Sequence, residues 1–267
     1  MIYIDVLLDA FAQNEQLIEL VDNLSSGNTR RALDFISTFV GSGYVQTSRI
    51  LEAQKTGRAY VVPLHEFVRA ILYGDHKYYD PKTSPVPNLF AVSSLDRKEH
   101  FLLPLLLATV QSLGERETGG LADLKIVFSQ LQSAGYLIDQ IEFHLDRAEQ
   151  SGLVESADHG DAGSFVRITP SGGYLHKKLV SSFAYVDAVI VDTPVLDPGV
   201  RASIRDVFDI EDRIARADTF VNYLDGCWPF GDEQLPFVWP LVRAEWGASL
   251  EGVRRGAVRA AERRGRR

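Results

Sequence analysis

The chain has 267 residues, enough for two compact domains, and its 45% hydrophobic and 24% charged content is ordinary for a globular protein. Its one cysteine, Cys227, excludes a disulfide framework and any multi-cysteine zinc site, and fits a reducing, cytoplasmic setting. The net charge of −8 is uneven: Arg254 to Arg267 holds seven arginines and one glutamate, +6, which leaves −14 on the other 253 residues.

Residues 1–92 read as helical. Ile4 to Phe11, Leu17 to Leu24 and Ala32 to Val40 have helical apolar spacing, the last through Ala32, Leu33, Ile36, Phe39 and Val40. Asp5 and Asp9 break the first run, so it is not a signal peptide. Asn14 and Asn28 are the candidate caps of the second and third helices, and Gly41-Ser42-Gly43 ends the third. A fourth helix is predicted over Pro63 to Tyr73, with Pro63 suited to its first turn. Tyr78 to Asn88 has three prolines and no helical period, which predicts an ordered loop anchored by its tyrosines and Phe90.

Within that region, Ser25-Ser26-Gly27-Asn28-Thr29-Arg30-Arg31-Ala32-Leu33 places two arginines in the first turn of a helix. A helix N-terminus is already electropositive and favours anions, so this placement suggests that a negative group arrives there. The segment resembles the sensor-2 helix of AAA+ ATPases, in the replication-initiator branch, where a Gly-Asp/Asn-x-Arg-x-Ala-Leu pattern opens a helix of the lid. The resemblance implies that Arg30, with Arg31 as second choice, senses the γ-phosphate of ATP. No Gly-x-x-x-x-Gly-Lys-Ser/Thr is present, nor a following strand with paired acids for magnesium. The expectation is a lid without its nucleotide-binding core: no catalytic residue on this chain, and ATP and Mg bound only if a P-loop core is supplied in cis or trans.

From Asp96 the pattern changes. Phe101 to Leu113 is strongly apolar; it contains Pro104 and is too short to span a bilayer, so no membrane partner is expected. Helices are predicted over Leu121 to Ala134 and Ile138 to Gln150, then strands at Gly152 to Glu155 and Ser164 to Thr169 around a turn at 158–163, then a helix from Pro170. Three helices followed by a hairpin resemble a winged helix-turn-helix, expected over 93–185. In that fold the third helix enters the major groove. Here it carries Asp139, Glu142, Asp146 and Glu149 against one Arg147, which opposes phosphate binding.

Residues 186–267 are expected as a helical extension. Asp187 to Asp192 is a short strand or a helix extension, Asp197 to Leu224 contains a long helix, and Arg243 to Arg263 a terminal one. The fold class expected is therefore mainly α with a small β-hairpin: a lid-like domain, a winged helix and this extension.

The candidate DNA contacts are Lys177 and Lys178 beside the hairpin and Arg254, Arg255, Arg259, Arg263 and Arg264 in the tail; arginines of this kind bind phosphate without reading sequence. The six histidines show no metal spacing, and Cys227 reads as a buried thiol. Three functions fit: a regulatory module of an initiator-like or STAND ATPase, coupling nucleotide state to a winged helix that binds protein or double-stranded DNA; a stand-alone DNA-binding regulator using the basic tail; or a protein-interaction scaffold that needs neither Arg30 nor the tail.

Overall fold

The computed structural model of the chain describes residues 2–265 apart from 46, 58, 117–118, 159–163 and 232–233; side chains at 2–5, 54, 158 and 256–265 are likewise outside the description. The chain divides into two compact units, residues 1–86 and 87–267. The structure is mainly helical with one small antiparallel sheet. Among the described residues, no helix is long and apolar enough to cross a membrane.

The first unit holds α1 (Ile2–Ala12), α2 (Glu15–Ser25), α3 (Thr29–Gly41), α4 (Thr47–Thr56) and α5 (Leu64–Tyr73). The two asparagines cap as their position suggests: the Asn14 carboxamide accepts from the Leu17 N–H and that of Asn28 from the Arg31 N–H. Between them Ser26 and Gly27 both lie in the left-handed region, at φ 51° and 76°, which reverses the chain between α2 and α3. Phe11, Phe39 and Phe67 meet at centroid distances of 5.1–5.8 Å and centre the core.

Three local expectations change here. The apolar spacing of α3 buries Phe35 and Phe39, while Leu33 and Val40 are exposed. Pro63 precedes α5 as its N-cap residue rather than lying inside the first turn. Helix α4 was not anticipated; its sequence is polar and its buried apolar contribution is Ile50 and Ala53.

The second unit is built on α6 (Leu102–Gly114), which is apolar on all sides and correspondingly buried. Around it stand β1 (Ala122–Asp123), α7 (Leu124–Ser133), α8 (Ile138–Gln150), β2 (Val154–Asp158), β3 (Ser164–Ile168) and α9 (Pro170–Lys177). The strands run antiparallel in the order β1-β3-β2, with Ala122 and Ser156 flanking Val166. Thr169 caps α9 by accepting from the Gly172 N–H, and Gly172 lies so close to the Leu153 carbonyl that a Cβ has no room.

The expected extension packs into this same unit. It comprises α10 (Phe183–Val189), α11 (Pro198–Ser203), α12 (Ile210–Cys227) and α13 (Trp239–Gly265). Its tryptophans supply the reason: Trp228 and Trp239 pack on Phe101 at 4.9 and 5.3 Å, and Trp246 is buried beside Phe183. The segment after Val86 is drawn in too. Tyr185 donates to the Pro87 carbonyl at 2.6 Å and accepts from the Leu89 N–H at 2.8 Å, while Phe90 meets Phe220 edge to face. Of the two alternatives at 187–192 the helical one is found, and the long helix expected within 197–224 is α12, preceded by the short α11 and by Ile204 in extended backbone.

Candidate functional site

The two arginines at the head of α3 have different surroundings. Arg30 is exposed and makes no hydrogen bond or ion pair with the described residues. Arg31 is half-buried: its guanidinium donates to the Pro85 carbonyl at 3.0 Å and lies 5.6 Å from the Phe35 ring centroid. Burial lowers the Arg31 pKa from its usual value. Arg31 is thus engaged in holding the Pro85 segment to α3, whereas the Arg30 donors have no partner among the described residues. Beside them, α1, α2 and α3 line an apolar groove of about 430 Å³ that includes Leu8, Phe11, Ile18, Val21 and Ile36.

In the second unit, α8 turns Ile141, His144, Leu145 and Ala148 inward. Its outer surface exposes Leu137 (67%), Ile138 (48%) and Phe143 (43%) together with Asp139, Glu142, Asp146 and Glu149. Glu149 accepts from the Ser156 hydroxyl on β2, and Arg147 is the one cation of the helix. An apolar surface edged by carboxylates suits a basic, partly apolar polypeptide and repels phosphate.

The candidate DNA-contacting residues do not converge on that helix. Lys177 and Lys178 are exposed at the end of α9, whose packing partners are α6 and the following 3-10 turn, Leu179–Ser181. Arg254 is engaged with Asp218 at 2.7 Å, and Arg255 is exposed with a loose approach of 3.9 Å to Glu251. The side chains of Arg259, Arg263 and Arg264 lie outside the described residues, as does the turn at 159–163.

Two buried polar clusters escaped the sequence reading. Glu99, fully buried in the 3-10 turn Arg97–Phe101, accepts from the Ser93 and Ser94 backbone N–H and hydroxyl groups, from Gln140 Nε2 at 3.3 Å and from His144 Nε2 at 3.1 Å. Burial alone raises the Glu99 pKa; the bonds from His144, Ser93 and Ser94 outweigh it and take it down to about 2. Burial lowers the pKa of His144 despite Glu99, so its imidazole is neutral, donates from Nε2 and leaves Nδ1 buried without a partner among the described residues.

In the second cluster, Asp187 on α10 receives Arg213 at 2.5 and 3.0 Å and Arg216 at 2.8 Å, all three buried. Arg216 also donates to the Arg205 carbonyl at 2.8 Å, tying the segment between α11 and α12 to the bundle. Only the i, i+3 arginine spacing of α12 signalled this pair in the sequence.

His100 completes the buried polar set, with Nδ1 2.6 Å from the Phe90 carbonyl and Nε2 2.9 Å from the Tyr223 hydroxyl; burial lowers its pKa. Cys227 is buried as expected, and burial pushes its thiol pKa up, away from a nucleophile's range. Among the described residues, no three His, Cys, Asp or Glu side chains are grouped to hold a metal ion. Compared with protein families, curated proteins and solved structures, the chain finds no match.

Proposed function

We propose that this chain is a non-catalytic regulatory module of the kind found C-terminal to the core of an initiator-like AAA+ or STAND ATPase. In this reading its helical first unit acts as a lid, and a winged helix in its second unit docks a protein. One observation carries the choice of protein over DNA: the outer face of α8 combines Ile138 and Phe143 with Asp139, Glu142, Asp146 and Glu149. A helix read as the groove-entering element of a winged helix lacks the cations that phosphate requires. The winged-helix reading is supported by the element order helix, short strand, two helices, two strands, with sheet order β1-β3-β2. The lid reading is supported by an Asn28-capped α3 whose Arg30 is exposed and unengaged. With a P-loop core supplied in cis or trans, that core binds ATP and Mg, and Arg30 contacts the γ-phosphate.

The test is to place a photo-reactive benzoylphenylalanine at position 143 in cells expressing the chain, and to identify what the helix touches. Adducts to polypeptide are the expected result. Adducts to nucleic acid, or binding of a duplex that Lys177→Ala or Lys178→Ala weakens, would replace this reading with that of a DNA-binding regulator.

A further inference from the structure

Helices α1, α2 and α3 leave an open apolar groove of about 430 Å³ in the first unit. Its floor is fixed: Leu17 is buried, and Phe11 meets both Phe39 and Phe67 edge to face. Its walls present Leu8 and Ile18, both exposed, with the half-buried Val21 and Ile36.

The charge around it is of one sign. Residues 1–29 hold five carboxylates and no lysine or arginine. Asp9 on α1 and Glu15, Glu19 and Asp22 on α2 are exposed and make no ion pair with the described residues. Glu15, Ile18, Glu19 and Asp22 follow the three- and four-residue spacing of one helix side, so Ile18 stands among carboxylates. Asp22 itself lines the groove. The next cations in sequence, Arg30 and Arg31, begin α3; Arg31 is given to Pro85, and neither is among the described residues lining the groove.

These surroundings narrow the occupant. The walls are helices whose backbone groups are already paired, so they offer no edge on which an extended peptide adds as a strand. An occupant must satisfy its own backbone, as a helix does. A fatty acid or other anionic ligand meets carboxylates and no cation, and the Ser25 hydroxyl is already given to the Asp22 carbonyl at 3.0 Å. Glu15 to Asp22 extends about 10 Å at about 1.5 Å per residue, which is about two turns of helix. From this complementarity we infer that the groove docks a cationic amphipathic helix of another protein. Its apolar residues, about three or four apart, enter the groove, and its flanking lysines or arginines face Asp9, Glu19 and Asp22. The site lies in the first unit and does not depend on what α8 touches.

The probe is a fluorescein-labelled peptide of roughly 18 residues, with leucines on one helix side and lysines flanking them. A control peptide carries glutamates in place of the lysines. In anisotropy titrations with the full chain, the lysine peptide binds at about 50 mM salt and several-fold more weakly at about 500 mM. The glutamate peptide does not bind. Leu8→Gln with Ile18→Gln weakens binding at least about tenfold, and so does Glu19→Lys with Asp22→Lys. The second variant now takes the glutamate peptide, a reversal that misfolding cannot mimic. All four positions are exposed, and circular dichroism checks that each variant is folded. Glu142→Lys with Asp146→Lys on α8 leaves binding within about twofold of the parent, which separates the groove from the acidic face of the second unit. No binding at about 100 μM chain, equal binding of the two peptides, or binding that neither groove variant weakens overturns the inference. Self-association in sedimentation equilibrium that Leu8→Gln with Ile18→Gln abolishes also overturns it, by assigning the groove to a second copy of this chain.

Discussion

Each unit sets a pair of arginines on one helix, and the two pairs do opposite things. Arg213 and Arg216 on α12 are buried and converge on Asp187, so their charge is used up in joining α10, α12 and the Arg205 segment. Arg30 and Arg31 on α3 have no carboxylate partner among the described residues: Arg31 takes a backbone carbonyl and an aromatic face, and Arg30 makes no hydrogen bond or ion pair there. A buried guanidinium must be paired because its desolvation is so costly, whereas an exposed one can wait for a ligand. The comparison teaches that arginine count says little about binding. What separates a structural arginine from a candidate sensor is whether the fold has already supplied its anion.

The largest effect should come from Asp187. Asp187→Ala leaves two buried guanidinium groups without their carboxylate and should cost about 3–5 kcal/mol, read by urea denaturation with the tryptophan signal of the second unit. A loss below about 1 kcal/mol would mean that the pair is solvated and the contrast with α3 is false. Glu99 sharpens the same point: Glu99→Gln puts amide hydrogens against Gln140 and His144 donors and should cost about 2–3 kcal/mol in the same assay.

Acid should act next. His176, buried against Gln111, has its pKa lowered to about 4 by burial and then by Lys177, and burial also lowers His100 and His144. Each therefore binds its proton more readily unfolded than folded, so stability is full above about pH 6.5 and falls as pH drops toward the folded value. His176 alone should remove about 2 kcal/mol between pH 7 and pH 5. Glu99 has the depressed carboxylate pKa, so its contribution is present above the unfolded value and is lost only below about pH 4.5. Thermal melts across this range should show a midpoint falling from about pH 6.5 downward; a flat profile to pH 5 would place His176 in water.

The smallest effects test the α3 pair directly. Arg31→Ala should cost about 1 kcal/mol through the lost Pro85 bond and ring contact. Arg30→Ala should stay within about 0.5 kcal/mol of the parent. Equal losses would remove the distinction on which Arg30, rather than Arg31, is assigned to a phosphate.

How much of this was legible in the sequence follows from distance along the chain. The Asn28 cap acts on an N–H three residues away, and Ile138–Gln150 is a helix read to the residue because its period is local. The Arg31 contact with Pro85 spans 54 residues, and the His144 contact with Glu99 spans 45. Neither has a local pattern to betray it. Strand β1 is two residues long and is defined by its pairing to β3, so no alternation could reveal it.

Sequence alone determined the helical character, most helix positions, the two asparagine caps, the hairpin and the acidic stripe of α8, since each depends on residues within a turn or two. Tertiary structure decided that 186–267 joins the second unit, that Leu33 stays exposed while Phe35 is buried, and which arginines keep their donors. Those outcomes depend on which surfaces exclude water together, and burial is a property of the assembled neighbours rather than of any residue's place in the chain.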